Sequence, residues 1–512
     1  MEPGSSSFDA DDDKPKEACG VFGVYAPAQA VAHLTYLGMY ALQHRGQESA
    51  GMAVSDGESI MVDKDMGLVS NVFNDRRLAS LAGHIAIGHT RYSTTGSSTW
   101  QNAQPVYRGV GDSQFALAHN GNLTNTEALA ADAGMLPGTV ASDSDLVAEL
   151  LATQIVRVDG ERSDGRDLEH ALGQILPTLE GAFSFVVVDE GHLYGMRDPN
   201  GFRPLCLGKL DGGWVLASET PALDVVGAHF VRELEPGEMV IIDANGVRSV
   251  HPFPEDRIDP RLCLFEFVYF ARPDSKLYGR SVHFARGRMG ESLAAQAPLP
   301  PAKPGNEDAP AMVMPVPESG VPAAQGFAKA SGIPYGDGVV KNRYIGRTFI
   351  APSQELRARA VRMKYNPLRE NLHGKRVVVV DDSIVRGTTQ KALVQMLREA
   401  GVAEVHLRIM SPPNRWPCFF GMDTGTKSEL LAANMTVDEI RDYLGADSLA
   451  YINIDRLIEA TGAPGAGFCD ACLTGLYPID VPVGLRKHVL EKNDMPSGDS
   501  VQISMTPFST DG

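Results

Sequence analysis

Between Cys19 and about residue 255 the chain repeats short runs in which apolar residues alternate with small or polar ones: GVFGVYA, HIAIGHT, QFALAHNGN, FSFVVVDE and GEMVIIDANG. A period of two marks strands with one buried face. DLVAELLATQIVRV places its apolar residues at helical spacing instead, and the mixture predicts a layered α+β domain. From about Arg261 to about Asp480 the pattern changes. AMVMPVP and KRVVVVDDS are continuous apolar runs, the signature of strands covered on both faces of a parallel sheet. The second leads into TTQKALVQMLREAG, where Leu393, Met396 and Leu397 share a helix face and Gly401 stands where a C-terminal cap belongs. The Pro-rich stretch at 297–310 reads as a surface insertion, and no internal repeat is visible. Residues 1–18 and the last ~25 residues show no periodicity and are expected to be loosely held.

At ~150 residues per domain, 512 residues suit two large domains or three smaller ones. Forty-six Lys and Arg against 64 Asp and Glu leave a net charge of −18, which argues against a nucleic-acid or anionic-membrane partner. No apolar run approaches the ~18 residues of a membrane-spanning helix. The first 18 residues carry six acids and two lysines, unlike a secretory signal, and a cytoplasmic location is expected. Six scattered cysteines are too few for a secreted disulfide framework.

KRVVVVDDSIVRGTTQ, residues 375–390, delivers two adjacent acids from a buried strand into a loop that ends in Gly387, Thr388 and Thr389 at a helix start. Amides and hydroxyls there can cradle a phosphate, and Asp381 and Asp382 can hold ribose hydroxyls or a hydrated magnesium ion. No Walker A pattern is present. The string resembles the phosphoribosylpyrophosphate (PRPP) motif of type I phosphoribosyltransferases. That resemblance implies that Asp381 and Asp382 face the ribose and that Ser383, Arg386, Gly387, Thr388 and Thr389 belong to the loop around the 5-phosphate. It also assigns VMPVPESG to the pyrophosphate side, with one Mg2+ per subunit bound with PRPP near Ser319, Asp381 and Asp382. Residues 341–376 hold ten Lys or Arg and two Glu, a basic stretch in an acidic chain. Within it KNRYIGRTF resembles the loop that closes over PRPP in amidotransferases, making Lys341, Tyr344 and Arg347 candidate ligand contacts.

In the first half, Cys19 precedes a strand, followed by LQHRGQESAG at 42–51, GHTRYSTTG at 88–96, AHNGNLTN at 118–125 and ASDSD at 141–145. In order and spacing these segments resemble the glutaminase domain of class II amidotransferases, which are N-terminal nucleophile hydrolases. The chemistry is a thiolate attack on the glutamine side-chain amide, with the cysteine's own free α-amino group as base. The resemblance therefore implies a propeptide of residues 1–18, an oxyanion hole at Asn120 and Gly121, a carboxylate grip by Arg91 and an amino-group contact by Asp143.

Cys469 and Cys472 form one C-x-x-C, and Cys263 with Cys418 completes a set of four that suits either zinc or an iron–sulfur cluster. Both halves together resemble the glutamine PRPP amidotransferases, one branch of which carries a 4Fe-4S cluster on cysteines in these motif positions. Cys206 has no matching role and reads as a core residue. The resemblance implies an αββα N-terminal nucleophile domain at 19–255, an α/β type I phosphoribosyltransferase domain with a parallel sheet at 256–480 and a tail at 481–512. It implies glutamine and PRPP as substrates, 5-phosphoribosylamine as product of the first committed step of purine synthesis, an ammonia channel with Tyr269 as a candidate lining residue, purine nucleotides as inhibitors and a homotetramer. Two rivals are another class II amidotransferase, opposed by the PRPP string, and a non-catalytic PRPP-sensing regulator, opposed by the retained glutaminase residues and the acidic terminus.

Overall fold

The computed structural model describes residues 19–92, 99–111, 113–136, 138–158, 166–342, 363–422 and 427–482. In the first half two antiparallel sheets stack face to face. One has the spatial order His229–Glu233, Cys206–Leu210, Gly213–Ala217, Gly20–Tyr25, Ile85–Arg91, Ser49–Ser55 and Ile60–Met66. The other runs Gly246–Val250, Met239–Asp243, Leu193–Arg197, Gly181–Val188, Ser113–Leu123 and Val106–Val110.

The period-two pattern sorts the side chains between layers. Val21, Val186 and Val188 meet in the slab between the sheets. Phe22 and Val24 point the other way, onto the helix Val31–Ala41, while Phe183, Phe185 and Val187 meet the helices Asp143–Val158 and Asp167–Ile175. The result is the αββα stack that the resemblance implied. A Cβ at Gly38 would lie 2.3 Å from the Phe22 ring, so the helix approaches its sheet this closely only because that position is glycine.

The second half is built on a parallel sheet ordered Ala311–Pro315, Arg376–Asp381, Glu404–Ile409 and Ser448–Tyr451. Val378 and Val380 face the helices Val282–Gln296 and Val321–Ser331, and Val377 and Val379 face Thr388–Glu399 and Val437–Leu444. Burial on both faces explains the unbroken valine run. Residues 297–310 lie on the surface as expected and are tied down there: buried Arg408 donates to Ala297 O at 2.6 Å and Pro298 O at 2.9 Å, and Glu404 accepts from Lys303 N at 2.7 Å. Buried charges on the strand Glu404–Ile409 hold it, a role that proline-rich composition conceals.

Within the second half Leu262–Cys263 pairs in parallel with Phe468–Cys469. Buried ions join the two halves. Arg45 of the first half, fully buried, lies between Glu219 and Glu266, and Arg203 joins Glu266 at 3.3 Å. Among the described residues no helix is long and apolar enough to cross a membrane.

Candidate functional site

Cys19 heads the strand Gly20–Tyr25 and lines a cavity with Arg91, Tyr92, Asn102, Gln104, His119, Gly121, Ser142 and Asp143. The pairing of this strand with Ile85–Arg91 carries Arg91 and Tyr92 to the thiol. Sγ donates to Tyr92 O at 3.3 Å and accepts from Tyr92 N at 3.4 Å. Burial pushes the thiol up to about 11, with the Tyr92 backbone and Arg91 opposing it only in part. Within this pocket the group is a neutral thiol that needs a base to become a nucleophile.

Asn120 is fully buried, and among the described residues neither its Oδ1 nor its Nδ2 has a hydrogen-bond partner. An orphaned carboxamide costs ~1–3 kcal/mol in an apoprotein and is satisfied by a ligand oxygen. Gly121 has φ +151, and a Cβ there would sit 2.0 Å from Ala182 O, so glycine is required at this point of the cavity wall. Asp143 opens the helix Asp143–Val158 and accepts from Ser144 N at 2.8 Å and Leu123 N at 3.3 Å, with His119 Nδ1 3.5 Å away. Burial alone would raise its carboxyl, but His119 and these amides outweigh that and hold it below the usual range. The structure thus gathers Cys19, Arg91, Gly121 and Asp143 around one cavity, with Asn120 adjacent in the strand. Tyr92, Asn102, Gln104, His119 and Ser142 were missed in the sequence. His119 and Ser142 stand inside the motif segments, whereas nothing local marks Asn102 or Gln104.

In the second half, Gly387 takes φ +78 immediately before the helix Thr388–Glu399, and a Cβ there would strike the Leu431 side chain at 2.6 Å. The loop from Asp382 to Arg386 leads into the N-terminus of a twelve-residue helix, where backbone amides point toward the loop. Asp381 accepts from Gln390 Nε2 at 3.0 Å and Asp382 from Ser383 Oγ at 2.7 Å. Asp382 also accepts from Ser319 Oγ. Ser319 follows the neighbouring parallel strand, so both loops leave the carboxyl edge of the sheet, where α/β folds bind ligands.

Thr389 is buried, and Arg386 donates to Glu429 at 2.6 Å. Lys341 ends the strand Val339–Lys341, opposite Tyr365, whose hydroxyl donates to Pro317 O at 3.2 Å in the Ser319 loop. Tyr344 and Arg347 lie outside the described residues. Sequence reading missed Arg286, a buried guanidinium on Phe267 O and Ala271 O, which burial pushes down to about 10 while Asp382 opposes the shift. It lies on the buried face of the helix Val282–Gln296, among Val282, Ala285, Met289 and Leu293.

Cys263 and Cys469 are register partners in their short parallel pair, and Cys472 lies in the following helical turn Ala471–Thr474. Cys418 Sγ accepts from Phe420 N at 3.4 Å. The four sulfurs lie close enough that each of Cys263, Cys469 and Cys472 is influenced by the charge of others in the set; burial first, then these neighbours, push Cys469 and Cys472 well above the usual thiol range. Among the described residues no three His, Cys, Asp or Glu side chains close around a single metal ion. Cys206 is a buried sheet residue donating to Ala217 O at 3.2 Å.

Residues 89–225 match the glutamine amidotransferase domain family, and residues 299–410 match the phosphoribosyl transferase domain family. The amidophosphoribosyltransferase of Mycobacterium tuberculosis is 52% identical over 492 residues, covering 93% of this chain and 90% of that protein. That of Archaeoglobus fulgidus is 44% identical over 470 residues, covering 91% and 98%. A solved structure of the allosteric regulatory enzyme of purine biosynthesis superposes with a TM-score of 0.83 at 42% identity, over 93% of this chain and all of that one. The glutamine PRPP amidotransferase of B. subtilis complexed with ADP and GMP gives 0.82 at 41% identity, over 92% and 100%.

Proposed function

This chain belongs to the amidophosphoribosyltransferase family, and from that premise we propose that it converts PRPP, glutamine and water into 5-phosphoribosylamine, glutamate and pyrophosphate, the first committed step of purine biosynthesis. The domains are taken as residues 19–255 for glutamine hydrolysis and 256–480 for phosphoribosyl transfer. One observation carries the reading. A single chain pairs a buried thiol, in a cavity lined by Arg91, Gly121 and Asp143, with an acidic cradle, joined by Ser319 and Asp382, at the carboxyl edge of a parallel sheet.

With residues 1–18 removed, the α-amino group of Cys19 takes the thiol proton and the sulfur attacks the amide carbon of glutamine. The developing oxyanion is met by the Asn120 side-chain amide and the Gly121 N–H, a device worth ~3 kcal/mol per donor. Arg91 holds the substrate carboxylate and Asp143 its ammonium group. Ammonia leaves as the thioester forms, and water then releases glutamate. The ammonia crosses inside the molecule to the second site, since exposure to solvent would protonate it.

There Asp381 and Asp382 hold the ribose hydroxyls, the loop Ser383, Arg386, Gly387, Thr388 and Thr389 binds the 5-phosphate, and Lys341, Tyr344 and Arg347 meet the pyrophosphate. Ammonia displaces pyrophosphate at C1, and catalysis is orientation and charge stabilisation. The hydroxyl and carboxylate oxygens of Ser319, Asp381 and Asp382 suit a hard cation, and Mg2+ bound with PRPP would neutralise the departing group. Four cysteines from three segments, two buried and two partly buried, with their thiols near enough to influence one another, suit a 4Fe-4S cluster on Cys263, Cys418, Cys469 and Cys472, which would lock those segments together. The ADP and GMP bound to the B. subtilis relative support purine nucleotides as inhibitors. The family resemblance further supports a homotetramer.

The test is turnover of PRPP with glutamine labelled by 15N at the amide. The expected result is label in the phosphoribosylamine with equal amounts of glutamate and pyrophosphate. Glutamate without pyrophosphate would mean a different amidotransferase, and bound but unconverted PRPP with either nitrogen source would mean a regulator.

A further inference from the structure

The loop that follows Cys418 belongs to the second half of the chain, yet it packs on the strand that carries Asn120 and Gly121. Asn122 Nδ2 donates to Phe419 O at 2.9 Å, with a longer contact to its neighbour Leu123 O at 3.3 Å. Arg203 donates from Nε and Nη2 to Phe420 O at 3.0 and 2.7 Å. The Phe420 ring stacks on Phe202 at 4.5 Å with the planes 9° apart. Gly421 then runs against the peptide that joins Gly121 to Asn122: a Cβ at Gly421 would lie 3.3 Å from the Gly121 carbonyl carbon and 2.9 Å from Arg203 Nη2.

A donor that stabilises an oxyanion must be held before the charge develops. Gly121 has no side chain to restrain its own dihedrals, so its amide is aimed by what grips the residues on either side. On the Asn120 side the ladder with Ser184 does so. Past Gly121 the ladder continues, with Asn122 opposite Ala182 and Leu123 opposite Gly181, and the Asn122 side chain adds a tie to another part of the chain through the carbonyl of Phe419.

We propose that Asn122 is a positioning residue for glutamine hydrolysis, and that the loop Cys418–Gly421 of the phosphoribosyltransferase half is the clamp that holds the oxyanion amide through it. The inference rests on the glutaminase reading above. It makes the first reaction dependent on a loop of the domain that performs the second.

The test compares the full-length enzyme with Asn122→Ala, Asn122→Asp and Gly421→Ala, measuring glutamine-dependent and ammonia-dependent synthesis separately. The expected result for all three is a loss of about 10- to 100-fold in glutamine-dependent kcat, with KM for glutamine and the ammonia-dependent rate within about twofold of wild type. Asn122→Asp keeps the side-chain shape without the donor, so the reading holds even where Gly421→Ala does not fold. An equal loss with both nitrogen sources, a rise in KM for glutamine at constant kcat, or no loss in Asn122→Asp would overturn the clamp. A wild-type enzyme that uses ammonia and never glutamine would instead overturn the glutaminase reading itself.

Discussion

Ser319 donates its hydroxyl proton to Asp382, tying together two loops that are 63 residues apart in the chain. The contact exists because Ala311–Pro315 and Arg376–Asp381 are parallel neighbours that end at the same edge of the sheet. A charge-assisted hydrogen bond and a carboxylate are both lost in Asp382→Asn, which at ~1.5–3 kcal/mol predicts a fall of about 10- to 100-fold in kcat/KM for PRPP. Steady-state kinetics should show the same factor with glutamine and with ammonia. A defect confined to glutamine would remove Asp382 from the PRPP site.

At the other site the two nitrogen sources separate. Cys19→Ala should abolish glutamine-dependent synthesis and leave ammonia-dependent synthesis in place. Asn120→Ala should lower the glutamine-dependent kcat by ~10²–10³ with KM little changed, because its amide meets charge that appears only on the way to the tetrahedral intermediate. Initial rates with each nitrogen source decide both.

His89 carries a pH prediction. It is fully buried, and its Nε2 lies 3.0 Å from His119 O, so that nitrogen bears the proton and donates. Burial pushes the ring down to about 3. A folded pKa below the unfolded value of a base means that the unfolded chain binds the extra proton, so stability is intact above about 6.5 and falls as the pH drops toward 3. The slope is ~1.4 kcal/mol per pH unit in that window. Melting temperatures measured from pH 7 to 4 should fall less steeply in His89→Gln than in wild type, and parallel curves would refute the assignment.

The buried ions between the halves are balanced as a set. Glu219 accepts from Arg45, from His44 at 2.6 Å and from Ser275 Oγ at 2.5 Å, while Glu266 accepts from Arg45 and Arg203. Arg45→Met strands two carboxylates away from water and should cost ~3–5 kcal/mol. Glu266→Gln leaves Arg45 on Glu219 and Arg203 on Phe420 O, so its cost should be the smaller of the two. Denaturant unfolding of the two variants checks the order.

Cys469→Ser removes one of the four sulfurs without touching either substrate site. Metal analysis of anaerobically purified protein should find about four irons per chain in wild type and a marked loss in the variant. Undiminished iron in Cys469→Ser would exclude this cysteine as a ligand.

Much of the architecture was legible in the chain. Period-two runs such as GVFGVYA became strands whose alternate residues face different layers, and the unbroken RVVVV run became a strand buried on both faces. These patterns are readable because burial repeats at the period of the backbone itself. The contacts that anchor the proline-rich surface stretch escaped the same reasoning: the charges that hold it sit on a distant strand and obey no local period.

By itself the sequence determined the element types, the order of the two halves and the motif residues on each loop, since strand, helix and glycine-turn preferences act over a few neighbouring residues. The resemblance grouped Ser319 with the two acids and Cys263 with the other three cysteines, but only the tertiary structure decided which atoms meet. It placed Tyr92 on Cys19, Ser319 on Asp382, Cys263 opposite Cys469 and the Phe419 carbonyl on Asn122, pairs separated by 63 to 297 residues. Such contacts are set by sheet order and by the packing of one half on the other, and neither the spacing nor the type of the partners carries that information.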